Sequence, residues 1–340
     1  MTGRERFSAA LKGQKVDRVP VFPLLMFFSA DRAGITYRRF ATDGRALAEA
    51  QLGAQRRFGF EAITACSDAF RVSAALGGDM AFPEDKPPYL VKPLIKSASD
   101  LKKLGKPDPS DRTNRMGDRV LAVAEMARSA GDECAVLGWV DMPFAEACAI
   151  SGLTEFMMML VDDPNGAHRI LDFLTRIVVD FSLAQLRAGA IMIGAGDAAA
   201  SLISAEMYDE FALPYEREVC RAAHGAGGLV KLHVCGNTTH LLEKMATCGA
   251  DLFNVDHMVA LEKARDVYGA ARKCFKGNLD PVGDMMRSTP EQCEKRAHRC
   301  LSIAQGAAYM LSPGCEVPAA TSDEVFRAFC GAPRTCPTAP

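Results

Sequence analysis

Eight short apolar runs, separated by longer amphipathic stretches, restrict this chain to very few architectures. The runs cover 19–25, 61–66, 134–140, 190–194, 229–234, 252–255, 274–276 and 308–311, each bounded by Gly, Pro, Asp or Asn. Runs this short and this apolar are what strands buried on both faces require. Between them, Ile170, Leu174, Ile177, Phe181 and Ala184 recur at helical spacing behind the helix-start pair Asp163-Pro164. A further helix is expected from Ser204, with Ala205 and Glu206 in its first turn and Phe211, Pro214 and Val219 further along. Eight strand–helix repeats predict an α/β fold, a (β/α)8 TIM barrel. An open doubly wound sheet is the alternative, but the first run is not followed by a Gly-x-Gly-x-x-Gly turn. Residues 1–18 read as a short N-terminal helix carrying Phe7 and Leu11. Residues 81–115 hold Pro83, Pro87, Pro88, Pro93, Pro107 and Pro109 and read as an excursion of little regularity, a lid or a partner surface. No linker interrupts the rhythm, so a single domain over 1–340 is expected.

Charge narrows the function classes. Forty Lys plus Arg oppose 42 Asp plus Glu, a formal net charge of −2, so no overall positive field attracts a polyanion. One Trp and 7% aromatic residues argue against a base-stacking surface, and nucleic acid is not an expected partner. No run approaches the roughly 18 apolar residues of a membrane-spanning helix, and no apolar signal segment follows Met1-Thr2-Gly3-Arg4. Twelve cysteines without a compact framework read as reduced thiols, which places the chain in the cytoplasm.

In a barrel, reactive groups gather where the strands end at their C-terminal rim. Here the run ends read Cys66-Ser67-Asp68, Val140-Asp141, Gly196-Asp197, His233-Val234-Cys235-Gly236, Asp256-His257, Asn278-Leu279-Asp280 and Gly314-Cys315-Glu316. Helix capping competes with function at Asp141 and Asp280. His233 and Cys235 are two residues apart on a strand and so share a face, and the barrel brings Cys315 to the same rim. One imidazole and two thiolates suit Zn²⁺ with a fourth position open, while packed core thiols are the competing reading. His168, His224, His240 and His298 fall in helical or helix-flanking stretches and are expected to be solvated or satisfied. His257 follows a strand, where a loop role and a catalytic one are both open.

With Arg18-Val19-Pro20-Val21, Ser204-x9-Pro214-Tyr215, Gly277-Asn278-Leu279-Asp280-Pro281 and Ser312-Pro313-Gly314-Cys315-Glu316-Val317-Pro318, the chain resembles the uroporphyrinogen decarboxylase superfamily from about Arg4 to Phe329. Within it, the sequence is most similar to the zinc-dependent, cobalamin-linked methyltransferases of the methylcobamide:coenzyme M type. That resemblance implies Zn²⁺ held by His233, Cys235 and Cys315, with a corrinoid (methylcobalamin) supplied by a partner protein and a small-molecule methyl donor or acceptor. Asp197, Glu316 and Asp256 are the candidate supporting carboxylates, Asp197 first because the family also has an acidic residue there. A free thiol has a pKa of about 8.5, and coordination removes its proton, so the expected reaction is methyl transfer to a thiol, or from a methylated substrate in the donor direction.

Two alternatives stay open: uroporphyrinogen decarboxylation, and an inactive zinc-binding scaffold for a corrinoid protein. The decarboxylase branch follows its first strand with Arg-Gln-Ala-Gly-Arg-Tyr. Here Phe22 to Ala30 is apolar, with no Arg before Arg32, so carboxylates find no bidentate partner there.

Overall fold

The computed structural model describes residues 1–336. Seven parallel strands form one sheet in chain order, each paired to the next. They are β1 (Ala62–Thr64), β2 (Ala135–Asp141), β3 (Met192–Gly196), β4 (Leu229–His233), β5 (Leu252–Asn254), β6 (Cys274–Leu279) and β7 (Tyr309–Pro313). Helices return the chain between strands, giving a TIM-barrel-like α/β fold.

The first expected strand departs from regularity. Residues 19–25 form only isolated bridges, Val21 to Leu311 and Leu24 to Glu316. Pro20 and Pro23 remove two amide donors from the segment, which breaks a continuous ladder. The segment nevertheless fills the eighth place. Phe22 donates to the Leu311 carbonyl on one side, and Glu61, just before β1, donates to the Val21 carbonyl on the other, both at 2.9 Å.

The helix after Asp163 is as expected: Pro164–Arg187, with the Asp163 carboxylate accepting the Gly166 amide and all five apolar positions buried. The helix expected from Ser204 is two helices, Ala205–Phe211 and Leu213–Gly225, broken at Ala212. Pro214 lacks the amide an unbroken helix would need, so it sits in the first turn of the second. The 81–115 excursion carries only a two-residue ladder, Met80–Ala81 against Tyr89–Leu90, and a short 3₁₀ turn, Ala98–Lys103. It is anchored by buried Ile95 and by the Lys106–Asp180 ion pair at 2.6 Å.

Alternation along the strands separates two cores. On β4, Val230 and Leu232, followed by Val234, pack outward against helices. Lys231, His233 and Cys235 therefore face the axis. The floor of the barrel is closed by helix Gly3–Leu11, where Phe7 and Ala10 pack with Phe22, Leu137, Met192, Leu252 and Met310. No single helix among the described residues is long and apolar enough to cross a membrane.

Candidate metal centre

Ten of the twelve cysteines are buried, and the two half-buried ones are Cys235 and Cys315. They meet His233 at the C-terminal rim. Cys235 Sγ lies 3.0 Å from His233 Nε2 and 3.7 Å from Cys315 Sγ, and Cys315 Sγ lies 3.7 Å from the same Nε2. Tetrahedral zinc, with Zn–S near 2.3 Å and Zn–N near 2.05 Å, needs an S···S edge of about 3.8 Å and S···N edges of about 3.6 Å. Two edges already fit, and the third must open by about half an ångström. The donor set is soft and suits zinc, and the three residues leave a fourth vertex. Cys315 is favoured as the thiolate, its pKa pulled down to about 3 by the hydrogen bond from Cys235 and then by His233.

Two glycines permit the approach. Gly236 has φ +90°, a left-handed turn that carries the chain away directly after Cys235. A side chain on Gly314 would begin 2.4 Å from the His257 amide nitrogen, so only glycine lets the Cys315 turn pack on the loop after β5.

The three carboxylate candidates occupy different places. Asp256 is brought to the centre: its Oδ2 accepts the Gly236 amide at 3.0 Å, bracing the Cys235 turn. Its Oδ1 accepts the Met258 amide at 2.9 Å and lies 3.0 Å from His257 Nδ1. Glu316 follows a ligand in sequence, but its Oε1 accepts the Phe27 amide at 2.6 Å, capping helix Phe27–Arg32 and tying that segment to the rim. Burial pushes its carboxyl up to about 8. Asp197 shares its parity with outward-facing Ala195 and is enclosed behind the barrel wall, next to Glu216. Burial, then Glu216, pushes it well above the usual carboxylate range. The structure does not bring Asp197 to the thiols, because strand parity turns it outward.

The capping question at Asp141 and Asp280 divides. Asp280 caps, accepting the Val282 amide at 2.8 Å. Asp141 shares parity with inward-facing Leu137 and Trp139, is hydrogen-bonded to the Trp139 indole, and is pushed up to about 7 by burial.

Lys231 was missed in the sequence reading, although Lys231-x-His233-x-Cys235 places it on the same face. Its side chain is fully buried beneath the centre, with Nζ 4.5 Å from the Trp139 ring centroid and no hydrogen-bond partner among the described residues. Burial pushes its pKa down to about 8. On β6, buried Lys276 donates to the Phe22 carbonyl at 2.7 Å and to Ser312 Oγ at 2.9 Å. Two buried lysines thus lie below the sulfurs, and burial, then Lys231, pushes the Lys276 amine well below its usual range. The wall beside them is apolar, built by Leu24, Cys66, Trp139 and Met26. Arg32, the first Arg after this segment, is engaged elsewhere, with Asp323 at 2.6 Å and the Ala319 carbonyl at 3.2 Å.

Comparison with known proteins places this geometry in context. A family profile described as uroporphyrinogen decarboxylase (URO-D) matches residues 2–335. The chain is 28% identical over 326 residues to a methylcobamide:CoM methyltransferase, MtbA, of Methanosarcina acetivorans, covering 94% of each chain. It is also 28% identical to a methylated-thiol–coenzyme M methyltransferase of Methanosarcina mazei, covering 99% of this chain and 90% of that one. A uroporphyrinogen decarboxylase of Chlorobium phaeovibrioides is 27% identical over 88% of each chain. Among solved structures, a methyltransferase from Methanosarcina mazei superposes with a TM-score of 0.89 at 22% identity, covering 98% of this chain and 99% of that one.

Proposed function

The chain belongs to the uroporphyrinogen decarboxylase family, and from that premise we propose that it is a zinc-dependent methyltransferase, transferring a methyl group from a corrinoid carried by a partner protein to a small-molecule thiol. The observation that carries this reading is the His233–Cys235–Cys315 triangle at the barrel mouth, two of whose edges have tetrahedral zinc spacing. Those three residues would hold the ion. Bound zinc supplies Lewis acidity that keeps a coordinating thiol deprotonated near neutral pH. The chain's own residues do the rest. Asp256 braces the Cys235 turn through the Gly236 amide. Lys231 sets a buried cation beneath the thiolates. The apolar wall of Leu24, Met26 and Trp139 suits a methyl group and a flat macrocycle better than a polycarboxylate.

Decarboxylation of uroporphyrinogen fits less well. The segment beside the mouth lacks Arg, and Arg32 is held by the C-terminal loop. The names of the two methyltransferase relatives favour a thiol such as coenzyme M.

The zinc-loaded protein with methylcobalamin and a panel of thiols tests the reading. X-ray absorption should show the shell passing from two sulfurs to three as the productive thiol binds, with S-methylation following. A methyl ether methylating cob(I)alamin, with no thiol altering the shell, would replace the acceptor direction by the donor one. Coproporphyrinogen formation would reinstate the decarboxylase, and corrinoid-protein binding without any transfer would favour the scaffold.

A further inference from the structure

We propose that Asn254 is a positioning residue for the metal centre: its side-chain carbonyl accepts the Nδ1 proton of His233 and holds that ring with Nε2 toward the metal. This rests on the zinc reading above.

Register puts the two residues side by side. His233 on β4 pairs with Asn254 on β5, and neighbouring strands lie about 4.8 Å apart. Both side chains face the axis. His233 shares the parity of Lys231, and Asn254 that of Leu252, which packs in the barrel floor while Phe253 and Val255 pack outward. Both residues are buried, at 4% and 3% exposure. Each carries one buried polar atom without a hydrogen-bond partner among the described residues: Nδ1 on His233 and Oδ1 on Asn254.

The remaining atoms of both side chains fix these roles. Asn254 Nδ2 donates to the Gly314 carbonyl at 2.7 Å; turning the amide over would set oxygen against oxygen, so Oδ1 is the atom left. His233 Nε2 faces the sulfurs, 3.0 Å from Cys235 and 3.7 Å from Cys315. When Nε2 ligates a metal through its lone pair, the ring's one proton is on Nδ1 and needs an acceptor. The Nε2–Cys235 edge opens by about half an ångström to admit zinc, so the ring is not yet in its loaded place. The bond to Asn254 closes with that adjustment and relieves two buried unpaired groups at once.

Rival partners are placed less well. On the other side of His233, β3 presents Gly196, which has no side chain. Asp141 reaches over that glycine, its Oδ1 2.9 Å from where a Cβ would stand, but it already accepts the Trp139 indole. Lys231 Nζ, the other unpartnered donor on β4, lies over the Trp139 ring on the β2 side, away from Asn254. Lys276, beside Asn254 on β6, is engaged by the Phe22 carbonyl and Ser312. One amide thus serves two ligands: Nδ2 fastens the residue before Cys315, and Oδ1 fastens His233. An aspartate carboxylate would set an oxygen against the Gly314 carbonyl, whereas asparagine both donates and accepts.

The test uses the zinc-loaded protein with isotope-labelled histidine, as wild type and as Asn254→Leu, Asn254→Asp and Asp141→Asn. Chelator competition should show zinc held about 10- to 100-fold more weakly by N254L, the range for losing a group that orients a ligating histidine. Nitrogen NMR of the wild type should place the His233 proton on Nδ1, protected from exchange with water. N254L should lose that protection. N254D, which keeps the acceptor but not the bond to Gly314, should retain it and recover most of the affinity. Zinc affinity of N254L within about twofold of wild type overturns the proposal. Equal weakening in N254L and N254D, with the Nδ1 proton unaltered, would mean that Asn254 serves only Gly314, and overturns it too. So does a His233 signal that moves in D141N and not in N254L. Where the variants fold poorly, the wild-type spectrum still decides: an unprotonated or freely exchanging Nδ1 in the zinc-loaded protein overturns the assignment. If the wild type takes up no zinc, the zinc reading itself has failed, and this assignment falls with it.

Discussion

Cys235 and Cys315 stand 80 residues apart, yet their sulfurs lie 3.7 Å from each other, and both also approach His233 Nε2. Cys235→Ser and Cys315→Ser should each take the zinc content of the purified protein from about one per chain to near none. A serine hydroxyl is a far poorer zinc ligand than a thiolate, and a structural core thiol would tolerate the change with its metal content intact. Elemental analysis of the two variants decides between these; full occupancy in both removes the ligand assignment. His233-x-Cys235 was legible in the sequence because strand parity puts both on one face. Asp197, singled out because the family has an acidic residue there, follows β3 in the outward parity of Ala195, and only the strand register makes that direction known.

Between elements, the buried acids Asp197 and Glu216 join the loop after β3 to helix Leu213–Gly225, with Tyr208 donating to Glu216 from helix Ala205–Phe211. Burial holds Glu216 up at about 7 against its ordinary 4.5, and Asp197 is raised as well. The native state therefore retains protons that the unfolded chain has released. Stability fully present below about pH 4.5 is lost as pH rises through about 7, by up to roughly 3 kcal/mol for this group. Chemical denaturation of wild type and Glu216→Gln between pH 5 and 8 should show a flatter dependence in the variant; equal slopes would show that these carboxyls do not set it. The helix break at Ala212 has its signal in Pro214, although one helix through that proline was expected; the acid pair has no such signal, since its partners come from two elements whose facing positions depend on packing.

Across the whole molecule, the seam between β7 and β1 decides whether the sheet closes. Glu61 holds it: Oε1 accepts from Arg6 at 2.9 Å and Arg18 at 2.6 Å, and Oε2 accepts the Val21 amide at 2.7 Å. Arg18-Val19-Pro20-Val21 thus has a structural reason for its composition. Removing this carboxylate would take from the Arg18 guanidinium and the Val21 amide their partner at the closing segment, while Arg6 keeps its two bonds to Asp17. Glu61→Ala is expected to cost about 3–5 kcal/mol, with Tm falling accordingly, because breaking a buried pair leaves uncompensated charge. A Tm unchanged within experimental error would mean that backbone bonds alone close the seam.

The eight-fold strand–helix rhythm, the rim position of the polar residues and the shared face of His233 and Cys235 were all determined by the sequence, because each follows from a local period of hydrophobic and polar side chains. Only the tertiary structure decided the spacing of Cys315 in the triangle, that Lys231 lies beneath it without a hydrogen-bond partner among the described residues, that Glu316 caps a helix, and that Asp256 braces the Cys235 turn. These are contacts between segments far apart in the chain. A repeating pattern specifies which face a residue takes on its own strand, but not which atoms of other strands meet it once the sheet has curled and its register is set.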